Sequence, residues 1–134
     1  MLSEDSTIQE IREFFSRDLF AMRCGCEIVD AGRGFATCAM DLVPEHRNAQ
    51  GNVMGGAIFT LADFAVGVAA NIGEAPTAGI TNTIDYLSFP RGARLTATAR
   101  VEKSGNKVAF YAVDVTDELG TDVARMSCVA YRKG

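Results

Sequence analysis

The sequence is poor in the residues that histidine-dependent and zinc-dependent sites require. It contains a single histidine, His46, and its four cysteines form no Cys-x-x-Cys pair. A serine or cysteine nucleophile activated by histidine could be assembled only around His46. A zinc site would need ligands drawn from distant parts of the chain. We therefore expect no metal and no cofactor, and we predict that the cysteines are reduced and mostly buried.

Positive charge and long apolar runs are also scarce. The formal net charge is -4, whereas nucleic-acid binding needs a basic surface that displaces counterions from phosphates. The N-terminal segment is acidic, and no run approaches the ~18 apolar residues that span a bilayer. The sequence thus predicts a soluble cytoplasmic protein that binds neither nucleic acid nor a membrane.

Two segments have the pattern of helices within one domain. With 134 residues and 48% apolar content, the chain suffices for one core, so we assign residues 1–134 to a single domain. Ser6 and Gln9 have capping-box spacing, and apolar residues then recur at intervals of three and four, which predicts an amphipathic helix over 6–21. Residues 57–72 are almost all apolar or small, which predicts a buried central helix.

The rest of the chain has the alternation and turn residues of β-strands. Residues 26–43 alternate on both sides of a turn at 31–34, which is typical of a hairpin. Four β-rich runs follow the central helix, at 78–89, 94–103, 107–116 and 121–132. The short breaks between them predict that neighbours pair antiparallel in a meander. The expected fold class is α+β, with an antiparallel sheet curved around the central helix.

Two glycines, Gly55 and Gly56, stand where the central helix should begin. Unpaired amides at a helix N-terminus attract negative charge, so they could hold an oxyanion. The pair is equally consistent with a tight turn into the helix or with close packing. The glycines alone do not decide between these interpretations.

Asp63 is the one charged residue in this apolar helix. Together with Thr60, Gly67 and Asn71 it forms a narrow polar or small stripe at helical spacing. The stripe could face water, but the helix has no Lys, Arg or Glu to cover a solvated face, which favours a cleft or a subunit interface. A carboxylate there is partly desolvated, so its pKa rises and it can act as a base or nucleophile.

The interval between Gly55 and Asp63 limits how both could act. Eight residues of helix separate them by about 12 Å, whereas a base and an oxyanion hole must each lie within roughly 3 Å of one reacting group. One helix cannot provide both to one substrate. If both are catalytic, Gly55 of one subunit meets Asp63 of another across a two-fold axis, which gives each dimer two composite sites.

The segment around these residues resembles the signature of a known family. Residues 46–56 read HRNAQGNVMGG, and LAD follows at 61–63. This is similar to the motif H-x-N-x-x-G-x-x-H-G-G, with a helical Asp, of PaaI-type hotdog-fold acyl-CoA thioesterases in the 4-hydroxybenzoyl-CoA thioesterase superfamily. The similarity extends over nearly the whole chain. It implies the hotdog fold, a continuous sheet across two subunits, and a homo-oligomer that is often a tetramer.

The resemblance also implies a role for each matching position. Asp63 would be the base or nucleophile that attacks the thioester, the Gly55 amide would hold the carbonyl oxygen, and Asn48 would orient the thioester. Thr81, at the start of the next strand, corresponds to a Ser or Thr that helps to place water. Substrate binding is expected for three further positions: His46, Met54 and Gly56.

Met54 departs from the family pattern, which commonly has a histidine at this position. A thioether cannot donate a hydrogen bond. If the histidine normally orients the asparagine or the loop, its loss reduces activity or changes the acyl pocket. Alternatively, the methionine only packs in the loop and the backbone amides suffice. His46 matches a different family position and is not assumed to replace it.

A coenzyme A ester also needs cationic groups near its phosphates. Residues 91–107 contain a single acid, Glu102, and five cations: Arg91, Arg94, Arg100, Lys103 and Lys107. Such a patch on an acidic protein can attract an anionic ligand, and we assign Arg91 and Lys107 to coenzyme A. The alternative is that these are ordinary solvated side chains.

The sequence therefore predicts a homo-oligomeric thioesterase that hydrolyses an acyl-CoA, with Asp63 and water as the chemical agents. Met54 keeps a second function open, an acyl-CoA-binding or sensing module without turnover. A third, a dehydratase acting on a 3-hydroxyacyl thioester, normally needs a catalytic histidine on the helix side, whereas His46 lies in the loop. The acyl group is not predicted, because four aromatic side chains fit an acyl pocket or the core equally well: Phe59, Phe64, Tyr86 and Phe89.

Overall fold

Residues 1–133, which the computed structural model describes, contain three α-helices and six β-strands. The helices are α1 (Ile8–Phe15), α2 (Leu19–Cys24) and α3 (Gly55–Ala70), and a 3-10 turn spans Pro44–His46. The strands are β1 (Cys26–Gly32), β2 (Phe35–Asp41), β3 (Thr77–Tyr86), β4 (Arg94–Ser104), β5 (Val108–Asp117) and β6 (Asp122–Arg132). All neighbouring strands pair antiparallel, which confirms the α+β class and the hotdog fold.

The apolar helix α3 is the centre of the fold. Nine of its sixteen residues are buried, and it contacts all six strands of the curved sheet. Removing this much apolar surface from water is the main favourable term in folding, at about 25 cal/mol for each Å². The predicted buried central helix is confirmed.

Both ends of α3 lie two residues before the predicted ones. The helix includes Gly55 and Gly56 as its first two residues. It ends before Asn71, whose side-chain amide donates to the carbonyl oxygens of Gly67 (2.8 Å) and Thr77 (3.0 Å). The Asn71 side-chain oxygen also accepts the Thr77 N–H at 2.8 Å. Asn71 thus closes the helix and ties it to the start of β3.

The single N-terminal helix predicted over 6–21 is wrong, because α1 ends at Phe15 and α2 begins at Leu19. The capping box is also one residue later than predicted, since Thr7 and Glu10 exchange the two capping bonds. Ile11 and Phe15 are buried as expected, but Leu19 is 62% exposed. The predicted series of apolar residues at helical spacing included Leu19, but the break between α1 and α2 ends that series before Leu19.

The strand order is β1-β2-β4-β5-β6-β3, so the predicted meander of four consecutive strands is wrong at its first member. The hairpin of β1 and β2 is confirmed, as are the pairings of β4 with β5 and of β5 with β6. β3, however, pairs with β6 at the far edge, and β4 returns beside β2. The break at 90–92 is therefore a crossover between an edge and the middle of the sheet.

The two edges of the sheet differ in what covers them. α1 and α2 contact β1, and the Arg12 Nε donates to the Ile28 carbonyl of that edge strand at 3.0 Å. β3 has no such cover within residues 1–133, and its Ile80 is 62% exposed. An uncovered edge of ten residues presents unpaired main-chain donors and acceptors to another strand.

The cysteines confirm the prediction of reduced, mostly buried thiols. All four are free, and only Cys24 is partly exposed. Burial raises the pKa of Cys26 and of Cys38 to about 12, and that of Cys128 to about 11. No helix within the described residues has both the length and the apolar content needed to cross a bilayer.

We predict that Leu61→Ala lowers the free energy of unfolding by about 2–5 kcal/mol, because it leaves a cavity beside α3. Leu61 has no exposed surface. Urea unfolding measures the change, with Leu119→Ala as the matched control because Leu119 is 60% exposed. Equal effects of the two substitutions would contradict the central position of α3.

Candidate active site

The loop before α3 is held by His46, which is buried. Its Nδ1 accepts the Val43 N–H at 3.1 Å, and its Nε2 lies 2.7 Å from the Cys24 carbonyl oxygen. These bonds assign the neutral tautomer with the proton on Nε2. Because both ring nitrogens bind main chain, neither is left for a substrate. The substrate-binding role expected of His46 stays a prediction.

Asn48 shapes the next part of this loop. Its side-chain oxygen accepts the N–H groups of Gln50 (3.0 Å) and Asn52 (3.1 Å). The oxygen is therefore committed to the loop. Its NH₂ group makes no hydrogen bond within residues 1–133, and Asn48 lines a cavity in front of α3. The part of the Asn48 side chain that is left without a partner in the described residues is therefore a donor.

The cavity in front of α3, here called the amide cavity, has a volume of about 440 Å³. The Gly55 N–H lies at the first position of the helix, where no carbonyl of the helix can accept it. Most of the remaining wall is apolar: Val53, Ile58, Tyr86, Leu87 and Phe89. The structure thus brings Asn48 and Gly55, two predicted site residues, to the wall of one largely apolar cavity.

Tyr86 packs directly against the first residue of α3. Its hydroxyl donates to the Gly55 carbonyl at 3.1 Å, and a Cβ at position 55 would lie 3.0 Å from the tyrosine ring. Close packing therefore favours glycine at position 55, because a larger residue would push the tyrosine ring aside. Gly56 has no such neighbour within 4 Å, and it is exposed.

Asp63 lies in a second cavity further along the helix, here called the carboxylate cavity. Its volume is about 360 Å³. Thr60 and Gly67 of the predicted polar stripe share this cavity, whereas Asn71 caps the helix instead. Its opposite wall comes from α2 and the residue before it: Asp18, Leu19, Phe20 and Ala21. The structure therefore separates Asp63 from Gly55 and Asn48 within one subunit.

The environment of Asp63 favours its neutral form. Water reaches the residue, but the surrounding protein excludes enough solvent that burial raises its pKa, and the nearby carboxylate of Asp18 raises it further. Burial also raises the pKa of Asp18, although the positive charge of Arg17 acts in the opposite direction. Neither carboxylate has a hydrogen bond or ion pair within the described residues. A carboxyl group with a raised pKa and no partner is suited to accepting a proton.

Asp18 is a site residue that the sequence analysis missed. It was placed inside a continuous helix, whereas it precedes the first residue of α2 and its side chain caps none of the helix amides. An Asp before a short apolar segment is a signal for a helix start. No three His, Cys, Asp or Glu side chains among residues 1–133 are grouped so that they could hold a metal ion.

Met54 and Thr81 line neither cavity. Met54 is 50% exposed, so it does not pack in the loop, although its N–H donates to the His46 carbonyl at 2.8 Å. Thr81 lies on the uncovered edge strand β3, beside the irregularity between Gly79 and Thr81. Its hydroxyl makes no hydrogen bond within the described residues. The roles of both residues stay predictions.

Arg94 and Arg100 of the predicted patch are paired with acids elsewhere in the sheet. Arg94 binds Glu27 and Asp41, and Arg100 binds Asp114 at 3.0 Å. The patch is consequently weaker than its local sequence indicates, because its counter-charges come from β1, β2 and β5. The Nε of Arg91 donates to the Thr121 hydroxyl at 3.3 Å.

We predict that Asp18→Asn lowers the pKa of Asp63, because it removes a like charge from the carboxylate cavity. An NMR titration of the Asp63 carboxyl carbon measures the shift. Asp5→Asn is the control, since Asp5 is exposed and lies outside both cavities. Identical Asp63 titrations in the two variants would contradict the proximity of Asp18.

Comparison with known proteins agrees with this fold. The Thioesterase superfamily profile matches residues 50–124, which include Gly55, Asp63 and Thr81. The chain is 29% identical over 128 residues to the acyl-coenzyme A thioesterase PaaI of Escherichia coli (strain K12), covering 94% of this chain and 91% of that protein. It is 35% identical over 94 residues to acyl-coenzyme A thioesterase 13 of Homo sapiens, covering 68% of this chain and 67% of the relative.

A solved structure gives the same answer for the fold. The E. coli PaaI protein from the phenylacetic acid degradation operon superposes with a TM-score of 0.88 at 28% identity, covering 94% of this chain and 92% of that one. Because the profile matches more than half of the chain, and the matched segment carries the helix with its glycine pair and carboxylate, the chain belongs to the thioesterase superfamily.

Proposed function

We propose that the protein hydrolyses an acyl-CoA to the free acid and coenzyme A, in a composite site that uses Asp63. The observation that carries the proposal is that Gly55 and Asn48, whose N–H and NH₂ groups have no hydrogen-bond partner within residues 1–133, line one largely apolar cavity at the start of the helix that bears Asp63. Membership of the thioesterase superfamily and the names of two relatives, both acyl-coenzyme A thioesterases, support the same reaction class.

The amide cavity supplies the electrophilic half of the reaction. The Gly55 N–H binds the thioester carbonyl oxygen, and the Asn48 NH₂ orients the thioester beside it. As negative charge develops on that oxygen, a preorganised main-chain donor in a poorly solvated cavity stabilises the transition state. The N-terminal dipole of α3 acts in the same direction. The side chain of Met54 contributes no donor, so the Gly55 N–H binds the carbonyl oxygen without help from a side chain at position 54.

Asp63 supplies the basic half. It takes a proton from water as the water oxygen bonds to the carbonyl carbon. The tetrahedral intermediate then collapses, the carbon–sulfur bond breaks, and the thiolate of coenzyme A accepts the proton that Asp63 holds. The raised pKa of Asp63 favours this proton acceptance. The Thr81 hydroxyl is proposed to place the water, and the mechanism invokes no metal.

The two halves come from different subunits. Along α3 the Gly55 amide and Asp63 are about 12 Å apart, and they open into separate cavities. A second subunit that pairs with the uncovered edge of β3 would bring its own α3 alongside and complete both sites. The minimal unit is then a dimer, and the tetramer and the cytoplasmic location expected from the sequence stay predictions.

Coenzyme A and the acyl group require further contacts. Arg91 and Lys107 are proposed to bind the phosphates of coenzyme A, with Gly56 exposed beside the thioester. The aromatic candidates divide between the cavities, since Tyr86 and Phe89 line the amide cavity and Phe64 lines the carboxylate cavity.

A second candidate, an acyl-CoA-binding module without turnover, is favoured by one observation. The half-exposed side chain of Met54 stands where the family signature has a histidine. Isothermal titration with an acyl-CoA, run beside a thiol-release assay, separates the two functions. Saturable binding without released thiol would support the module.

We predict that Asp63→Asn and Asp63→Ala each lower kcat by at least about a hundredfold, the usual contribution of a general base. Release of free thiol from a panel of acyl-CoAs measures the rate. Asp122→Asn is the matched control, because Asp122 is exposed and lies outside both cavities. Full activity in both Asp63 variants would refute the catalytic role.

The same substitution has an expected effect on stability. The pKa of Asp63 is raised in the folded protein, so the ionised carboxylate lowers the stability of the fold at neutral pH. This loss of stability disappears below pH ~3.9, where Asp63 is protonated in both the folded and the unfolded protein. Asp63→Asn should therefore raise Tm at pH 7, with the difference closing as the pH falls. A lower Tm at pH 7 would contradict the raised pKa.

Mixing of inactive subunits tests the composite site. Asp63→Asn and Asn48→Ala should each be nearly inactive alone. In a mixed dimer, one site receives an intact Asn48 from one subunit and an intact Asp63 from the other. Equal mixing with subunit exchange should restore about a quarter of wild-type activity, since half of the dimers are mixed and each has one intact site. No recovery in demonstrably mixed dimers would show that each site lies within one subunit.

A further inference from the structure

The segment between β3 and β4, residues 87–93, is here called the crossover loop. It runs from the edge strand to the middle of the sheet, so no hairpin partner fixes it. Its first residues, Leu87, Ser88 and Phe89, form a wall of the amide cavity. Arg91, the cation assigned to coenzyme A, follows directly. The conformation of this loop therefore sets both a cavity wall and the position of Arg91.

Asp117, at the end of β5, holds the middle of the crossover loop. One of its carboxylate oxygens accepts the N–H groups of Arg91 (2.8 Å) and Gly92 (2.9 Å). The other oxygen accepts those of Leu119 (3.0 Å) and Thr121 (2.9 Å) in the β5–β6 turn. One side chain thus joins two loops through four main-chain donors.

Glu118 holds the end of the same loop. Its carboxylate accepts the Ala93 N–H at 2.8 and 3.0 Å and the Arg94 N–H at 3.0 Å. Four consecutive amides, 91 to 94, are therefore bound by two adjacent carboxylates. A Cβ on Gly92 would lie 2.1 Å from a Glu118 oxygen, so glycine at this position is required by the close approach of that carboxylate.

The charge state of Asp117 matches this arrangement. Only 5% of the surface of Asp117 is exposed to solvent, because the main chain of two turns covers it. Burial opposes its ionisation, but the donors of Thr121, Gly92 and Arg91 outweigh burial and hold its pKa well below the usual range. The carboxylate therefore stays ionised, and its charge-assisted bonds persist, throughout the neutral range.

We propose that Asp117 is a positioning residue for acyl-CoA, which acts through the crossover loop to place Arg91 and the wall of the amide cavity. Glu118 assists it by holding the following two amides. The inference rests on the proposed function, because it takes coenzyme A as the ligand of Arg91. Asp117 touches neither the substrate nor the reacting atoms in this proposal, but it controls how tightly the substrate binds.

Asp117→Asn tests this role with minimal change of shape. An asparagine keeps one acceptor oxygen, whereas its NH₂ group would face either the Arg91 and Gly92 amides or the Leu119 and Thr121 amides. One pair of main-chain donors therefore loses its acceptor. We expect KM for an acyl-CoA, and Kd for coenzyme A by isothermal titration, to rise about tenfold, the equivalent of one charge-assisted hydrogen bond. We expect kcat to stay within about twofold, because Asp63, Gly55 and Asn48 are untouched.

A double-mutant cycle shows whether Asp117 acts through Arg91. Asp117→Asn, Arg91→Ala and the double variant are compared. If Asp117 positions Arg91, its substitution costs much less binding once Arg91 is gone, so the effects on Kd are not additive. Two controls accompany the cycle. Asp122→Asn makes the same change at an exposed residue of the neighbouring strand, and Thr7→Ala lowers stability by removing the cap of α1, far from the loop in sequence and on another element.

The possible outcomes separate the loop from the proposed function. An unchanged KM and Kd in Asp117→Asn, or fully additive effects with Arg91→Ala, would overturn the positioning role even if Tm falls. If Asp117→Asn does not fold, Gly92→Ala displaces Glu118 instead and should raise Kd in the same manner. An unchanged Kd in that variant would count against the proposal. Wild-type protein that binds coenzyme A but releases no thiol would refute the proposed hydrolysis and leave the role of the loop standing.

Discussion

The enclosure of one apolar helix by a single sheet is the constraint on which the site depends. Because α3 contacts all six strands, little of its surface can reach a ligand. The accessible parts are its first turn, where Gly55 has an unpaired amide, and the stripe that bears Asp63. Eight residues fix the interval between them, at about 12 Å. The proposed use of both groups on one substrate therefore calls for two copies of the chain.

The elements that the sequence predicted well are those whose pattern is local. α3 and the β1–β2 hairpin follow from composition and period, and each was located to within about two residues. The order of the strands could not be obtained in this way. A break such as 90–92 has the same turn residues whether the chain reverses beside its neighbour or crosses the sheet, because the difference depends on β6, which is more than thirty residues away in sequence.

The residues of the candidate site can likewise be separated into those with a local sequence pattern and those that come together only in the fold. Asn48, Gly55 and Asp63 could be found because they belong to one contiguous motif with a defined spacing. Asp18 could not, since it approaches Asp63 only through the break between α1 and α2. The two main-chain partners of His46 could not be predicted either, because the Cys24 carbonyl comes from a residue twenty-two positions earlier in the chain. Counting charge along residues 91–107 likewise overstated the patch, because salt bridges form across strands and not along them.

The contact between Gly55 and Tyr86 links two positions that are thirty-one residues apart. A side chain at position 55 would meet the tyrosine ring, and a smaller residue at position 86 would remove both the ring and the hydroxyl that binds the Gly55 carbonyl. The two positions are therefore coupled in free energy. A substitution at position 86 changes the cost of a substitution at position 55, so their effects on stability should not add.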